Sequence, residues 1–217
     1  MMLRCLRRPS RRRFLDAVAL LATVLALACS DSDLPGFSTG ATCTDTPVPA
    51  CEENGGCPGG ESGRMQGMVA AHDAVRAALD DPAPEAPLPA MRWSDDLAAV
   101  ARNWARELVR RGCPLEHSRS CRYGENLAWY SGYSPTAEEV VVDGWASEDA
   151  CYSYGRFLST DGCTSACDDS GGCGHYTQII WADTREVGCA VESCGDGSEV
   201  WVCNYAPVGN VVGELPY

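Results

Sequence analysis

The sequence predicts an α+β domain over residues 65–217, braced by disulfides and preceded by an export leader and a tether. Three observations predict it. Apolar residues recur at helical spacing through the first half of the domain, they switch to alternation in its last third, and the cysteines form an even set once the leader is set aside.

The leader is read first because it fixes the compartment. Arg4, Arg7, Arg8, Arg11, Arg12 and Arg13 precede an uncharged run from Ala17 to Ala28, a basic region followed by an apolar one too short to span a bilayer. The stretch SRRRFLD from Ser10 to Asp16 is similar to a twin-arginine export motif, with Asp16 where a basic residue is usual; a plain Sec signal is the alternative. The run closes in LALAC, so that Cys29 resembles the lipidated cysteine of a bacterial lipobox, simple cleavage being the alternative. The expected product is a cell-envelope lipoprotein or a secreted protein. Residues 1–29 are assigned to this signal, 30–64 to a Gly/Pro-rich, cysteine-containing tether, and 65–217 to the domain.

Cysteine and charge narrow the chemistry. Of 14 cysteines, Cys5 and Cys29 belong to the leader, which leaves an even twelve and implies an oxidising compartment. No paired CxxC modules suggest a zinc–thiolate cluster instead. All 17 basic residues are arginine, against 30 acidic ones. Without the leader's six arginines and Asp16, 11 basic face 29 acidic residues, a net −18. Such a surface repels phosphate backbones and anionic headgroups, so nucleic-acid binding is excluded and membrane contact is expected only through a lipid anchor.

Within the domain, Met68, His72, Val75 and Leu79 share a helix face that ends at the proline-rich DDPAPEAPLP; His72 on that face reads as a core histidine. Ser94 caps a second helix with an apolar stripe of Leu97, Val100, Ala101, Trp104 and Leu108, stopped by Gly112. Thr136 and Glu139 form a capping box for a third helix carrying Val140, Val141 and Trp145, with Glu148 near its end. The pattern then changes. His175, Thr177, Ile179 and Trp181 alternate with Tyr176, Gln178 and Ile180, the signature of a strand, and EVGCAVESC and EVWVCNY flank GDGS as an antiparallel hairpin.

Several of these stretches also match a family in order: EHS at Glu116, YGENLAW at Tyr123, WASE at Trp145, CGHYTQIIW at Cys173, VGCA at Val187 and CNYAPVGN at Cys203. HDAVR at His72 carries Asp73 where the family has asparagine, and the ending GELPY is similar to plant members. Together they resemble the CAP superfamily of cysteine-rich secretory proteins, antigen 5 and pathogenesis-related 1 proteins, over Met68 to Tyr217. The resemblance implies a three-layer α/β/α sandwich with a mostly antiparallel central sheet. It also implies a cavity tetrad of His117, Glu125, Glu148 and His175, and disulfides Cys113–Cys194, Cys167–Cys173 and Cys189–Cys203. It offers no guide for Cys43, Cys51, Cys57, Cys121, Cys151 and Cys163.

Two readings of the tetrad follow from its chemistry. Imidazoles oriented by carboxylates can hold Zn²⁺ or another divalent cation weakly, through His117 and His175, or the four side chains can form a hydrogen-bonded structural cluster. Glu125 and Glu148 are candidate general bases for a metal-dependent, protease-like hydrolase. No HExxH or GxSxG accompanies them, and oxidised cysteines supply no thiolate. The preferred expectation is therefore a noncatalytic binding domain for a lipid, a sterol or an extracellular protein, with the hydrolase and a structural envelope protein as alternatives. Trp129, Tyr130, Tyr133, Tyr152 and Tyr154 are candidates to line an apolar groove.

Overall fold

The structure is a computed structural model that describes residues 60–157 and 172–217. The leader with its twin-arginine stretch, Cys29, and Cys43, Cys51, Cys57, Cys163 and Cys167 lie outside the described residues.

Helix α1 spans Met68–Ala77 and buries Met68, Ala71, His72 and Arg76. A proline-rich segment leads to the short strand β1, Arg92–Trp93, and directly into α2, Asp95–Arg110. The local signals for α2 act as expected. The Ser94 hydroxyl accepts from the Leu97 amide, and Asp95 and Asp96 sit where the helix dipole favours negative charge. Gly112 takes the left-handed conformation just past the end, with φ at 84°.

Strand β2, Gly124–Ser131, precedes a third helical region of irregular form. Its capping box is built. The Thr136 amide donates to Glu139 at 2.7 Å, and the Glu139 amide donates to the Thr136 hydroxyl at 3.2 Å. The helix is then broken into a π-helical part, Glu139–Gly144, and a 3-10 part, Trp145–Cys151. Gly144 lies at the break with the Tyr130 hydroxyl against it; a Cβ there would stand 2.7 Å from that oxygen.

Helix α3, Gly174–Ile179, corrects the strand expected from the alternation around His175. Tyr176, Ile179 and Ile180 stand at i, i+3 and i+4, but a helix of 6 residues is too short for that spacing to stand out against the alternation of its polar neighbours. The expected hairpin follows as β3, Glu186–Ser193, and β4, Ser198–Ala206. The sheet order is β1-β3-β4-β2, antiparallel except for the β1–β3 pairing, which matches the mostly antiparallel expectation. Strands β1 and β2 carry no spacing signal of their own.

Alternation in the sheet separates two apolar layers. Val187, Cys189, Trp201, Cys203 and Tyr205 pack beneath α1, the broken helix and α3, whereas Leu127, Ala190, Val200 and Val202 pack against α2. The result is the α/β/α sandwich. At Gly188 the sheet and the start of α2 meet so closely that a Cβ would fall 2.1 Å from the Ala98 nitrogen. Cys189 and Cys203 face each other across β3 and β4 and are bonded, and Cys113–Cys194 ties the segment after α2 to the end of β3. Cys121, Cys151 and Cys173 are also disulfide-bonded, while the expected Cys167–Cys173 pairing involves a residue outside the described region. No helix among the described residues is long and apolar enough to cross a membrane.

Candidate functional site

The four tetrad residues resolve into two histidine–carboxylate pairs. His117 Nδ1 lies 2.8 Å from Glu125 Oε1, and the same oxygen accepts from the Ser118 amide at 2.8 Å. His175 Nδ1 lies 2.6 Å from Glu148 Oε1, while Glu148 Oε2 accepts from the amides of His175 and Tyr176 at 2.9 and 3.1 Å. In both pairs the carboxylate is the covered partner: the Glu125 and Glu148 side chains are 7% and 5% exposed, against 61% for His117 and 24% for His175. With each carboxylate accepting at Nδ1, that nitrogen carries a ring proton, so Nε2 is the nitrogen through which the neutral ring could hold a cation.

Each pair is positioned by a different element, and β2 connects them. Glu125 belongs to β2; its neighbour Asn126 donates from its amide to the His175 carbonyl at 3.2 Å. Gly124 allows this approach, because a Cβ there would lie 2.1 Å from Gln178 Oε1 on α3. Glu148 comes from the broken helix and takes up the amides at the start of α3, a helix whose N-terminus receives no capping hydrogen bond from the Cys173 side chain. Asn210, from the CNYAPVGN motif, donates to the Gly174 carbonyl and accepts from the Thr177 hydroxyl, both at 2.8 Å. Trp145 stacks on the His175 ring at 6.1 Å and donates from its indole to the Leu127 carbonyl at 3.0 Å.

The HDAVR motif performs a supporting task that its spacing did not reveal. Arg76 runs from α1 beneath α3 and donates to the carbonyls of Ile179, Trp181 and Pro89 at 2.9, 2.8 and 2.9 Å. Asp73, at the departure from the family pattern, accepts from the Met91 amide at 2.8 Å. His72 is a core histidine as expected. It is fully buried, with Nδ1 bonded to the Met68 carbonyl at 2.8 Å and Nε2 to the Tyr205 hydroxyl at 3.0 Å. Burial pushes its pKa down to about 4, with the Met68 carbonyl opposing that fall.

The donor set is open as a metal site. Among the described residues no three His, Cys, Asp or Glu side chains gather into a metal-holding group. The two imidazoles nevertheless present Nε2 with their tautomers fixed by carboxylates, the usual second partner of a ligating histidine. Glu125 Oε2 is buried without a hydrogen-bond partner, an acceptor that an ordered cation or water would satisfy. Glu125 and Glu148 thus orient the two rings.

A separate groove of about 460 Å³ opens between α1, the broken helix, α3 and the C-terminal residue Tyr217. Tyr152 and Tyr154 line it, as expected. Trp129 and Tyr133 instead stand on the surface, and Tyr130 packs edge-on against Tyr133. Sequence reasoning misses Tyr176 and Tyr217 as lining residues, since one sits inside the motif that reads as a strand and the other is brought in from the end of the described chain.

With this fold and these two pairs in place, the family follows. The model of the CAP cysteine-rich secretory protein family matches residues 69–205, and the chain belongs to that family. It is 37% identical over 153 residues to pathogenesis-related protein 1C of Nicotiana tabacum, covering 70% of this chain and 80% of that protein. It is also 37% identical to the PR-1 type protein of Sambucus nigra, covering 70% of this chain and 81% of the relative. The crystal structure of NaASP2 with Zn²⁺ superposes with a TM-score of 0.56 at 26% identity, covering 75% of this chain and 90% of that one.

Proposed function

We propose that this protein is an extracytoplasmic binding domain that holds a lipid, sterol or similar apolar ligand, and that its histidine pairs form a weak divalent-cation site rather than a hydrolytic centre. The observation that carries the reading is the groove: it is large enough for an alkyl chain and is lined by Val75, Leu79, Val142 and the tyrosine rings. Against catalysis stands the state of the carboxylates. Both oxygens of Glu148 are engaged by three donors, and Glu125, although its Oε2 has no hydrogen-bond partner, is only 7% exposed, which leaves attacking water little access to either carboxylate.

The groove is tested on the full-length protein with Ala74→Trp, which fills it from an exposed position on α1. Mass spectrometry of bound material should find an apolar ligand on the wild type and about tenfold less on the variant. Equal loading of both proteins would overturn the groove reading.

The metal reading draws support from the two free Nε2 atoms and from the Zn²⁺ in the NaASP2 crystal structure. Calorimetry should show weak Zn²⁺ binding to the wild type and none to the combined His117→Ala, His175→Ala variant, whose circular dichroism stays native because the disulfides and core are untouched. Unchanged affinity in the folded double variant would identify the pairs as a purely structural cluster.

A further inference from the structure

The groove has a chemical bias that the family relationship does not specify. Its apolar lining includes Val75, Leu79 and Val142, beside four tyrosines. Tyr152 meets Tyr176 edge-on at 5.5 Å between ring centres, and Tyr154 lies against Tyr217 at 4.8 Å. Three carboxylates complete the lining: Asp80 and Asp81 from the end of α1, and Asp149 from the broken helix. Among the described residues no arginine or histidine lines the groove, and none forms an ion pair with any of the three. Several phenol hydroxyls are already occupied. Tyr152 donates to the Gly155 carbonyl, Tyr217 to the Pro82 carbonyl and Tyr154 to the Tyr217 carbonyl, so these groups serve to fix the rings.

We infer that the ligand of this groove carries an alkylammonium group, held among the tyrosine rings and the Asp80, Asp81 and Asp149 carboxylates while its apolar chain lies along Val75 and Leu79. The inference deepens the binding reading above and rests on it. Electron-rich ring faces attract an organic cation, and the exposed carboxylates of Asp80, Asp81 and Asp149 at the groove add the weaker attraction of surface charges. An anionic head such as a fatty-acid carboxylate would meet three like charges with no compensating cation. The tyrosines report the same field: burial, followed by the charges of Asp149 and Asp80 and the Tyr152 phenol, pushes the Tyr176 pKa up to about 12.

Three probes of one chain length and different head charge test this on the full-length protein: octyltrimethylammonium, octyl glucoside and octanoate, titrated calorimetrically at low salt. The cation should bind about tenfold more tightly than either of the others, and Asp80→Asn with Asp149→Asn should remove about that margin. Because the whole surface is acidic, Ala74→Trp serves as the control at constant net charge; it should abolish the tight site. Octanoate or octyl glucoside binding as tightly as the cation, with Ala74→Trp abolishing all three, would refute the ammonium preference and leave the groove as a binding site. Cation binding indifferent to Ala74→Trp would refute both.

Discussion

Replacing Arg76 with methionine is expected to cost about 3–5 kcal/mol of folding stability, read as the urea midpoint of the full-length protein under nonreducing conditions. The side chain is buried and supplies donors to three carbonyls, those of Ile179, Trp181 and Pro89. Methionine keeps much of the volume but leaves these acceptors without partners, and each buried orphan costs about 1–3 kcal/mol. Desolvation opposes part of this gain, since burial pushes the guanidinium pKa down to about 10. Arg76→Lys should recover less than half of the loss, because a single ammonium cannot reproduce the planar fork. The carbonyls of Ile179 and Trp181 lie at the exit of α3, so the variant should also loosen His175 and weaken any zinc binding. A loss below about 1 kcal/mol for Arg76→Met would show that water or neighbouring groups replace the guanidinium freely.

Acidification should remove a comparable amount of stability through His72. The folded protein holds this ring neutral, with a pKa of about 4 against an ordinary 6.5. Between those values the unfolded chain binds the extra proton and the folded one does not. Stability is therefore complete above about pH 6.5 and falls as pH drops towards 4, by about 3 kcal/mol from this group alone. Asp73 and Arg76, the charged neighbours of the ring on α1, act in opposite directions on it. His72→Gln offers a neutral amide to the Met68 carbonyl and the Tyr205 hydroxyl without a titrating proton. Urea unfolding at several pH values should then show a shallower decline in the variant than in the wild type between about pH 6.5 and 4. Parallel curves would mean that His72 does not govern acid sensitivity.

The portions of the fold legible in the sequence are those whose signals are local. Ser94, Gly112, the Thr136–Glu139 box and the GDGS turn each act over a few residues, and each occurs where the sequence places it. The membership of the candidate site was legible for another reason: two histidines and two glutamates stand inside motifs that keep the family's order. Their partnership was not. Nothing in the spacing shows that Glu125 holds His117 while Glu148 caps the helix bearing His175. The groove was half legible, because Tyr152 and Tyr154 lie close together in the chain whereas Tyr176, Tyr217 and Asp80 are joined to them only by folding.

By itself the sequence determined the helices α1 and α2, the closing hairpin and the α+β class of the domain. Tertiary structure alone decided the state of Gly174–Ile179. So short a segment makes too few helical hydrogen bonds to stand alone, and it spans too few turns for a helical period to be read from it. Contacts from afar settle the competition: Glu148 takes up the amides at one end, Arg76 the carbonyls at the other, and Asn210 clamps the first turn. The same holds for β2, which has no clear alternation because Asn126, bonded to α3, and Leu127, packed against α2, are both buried on opposite faces. In each case the deciding partners lie far away in the chain, so no window of local sequence contains the energy that selects the conformation.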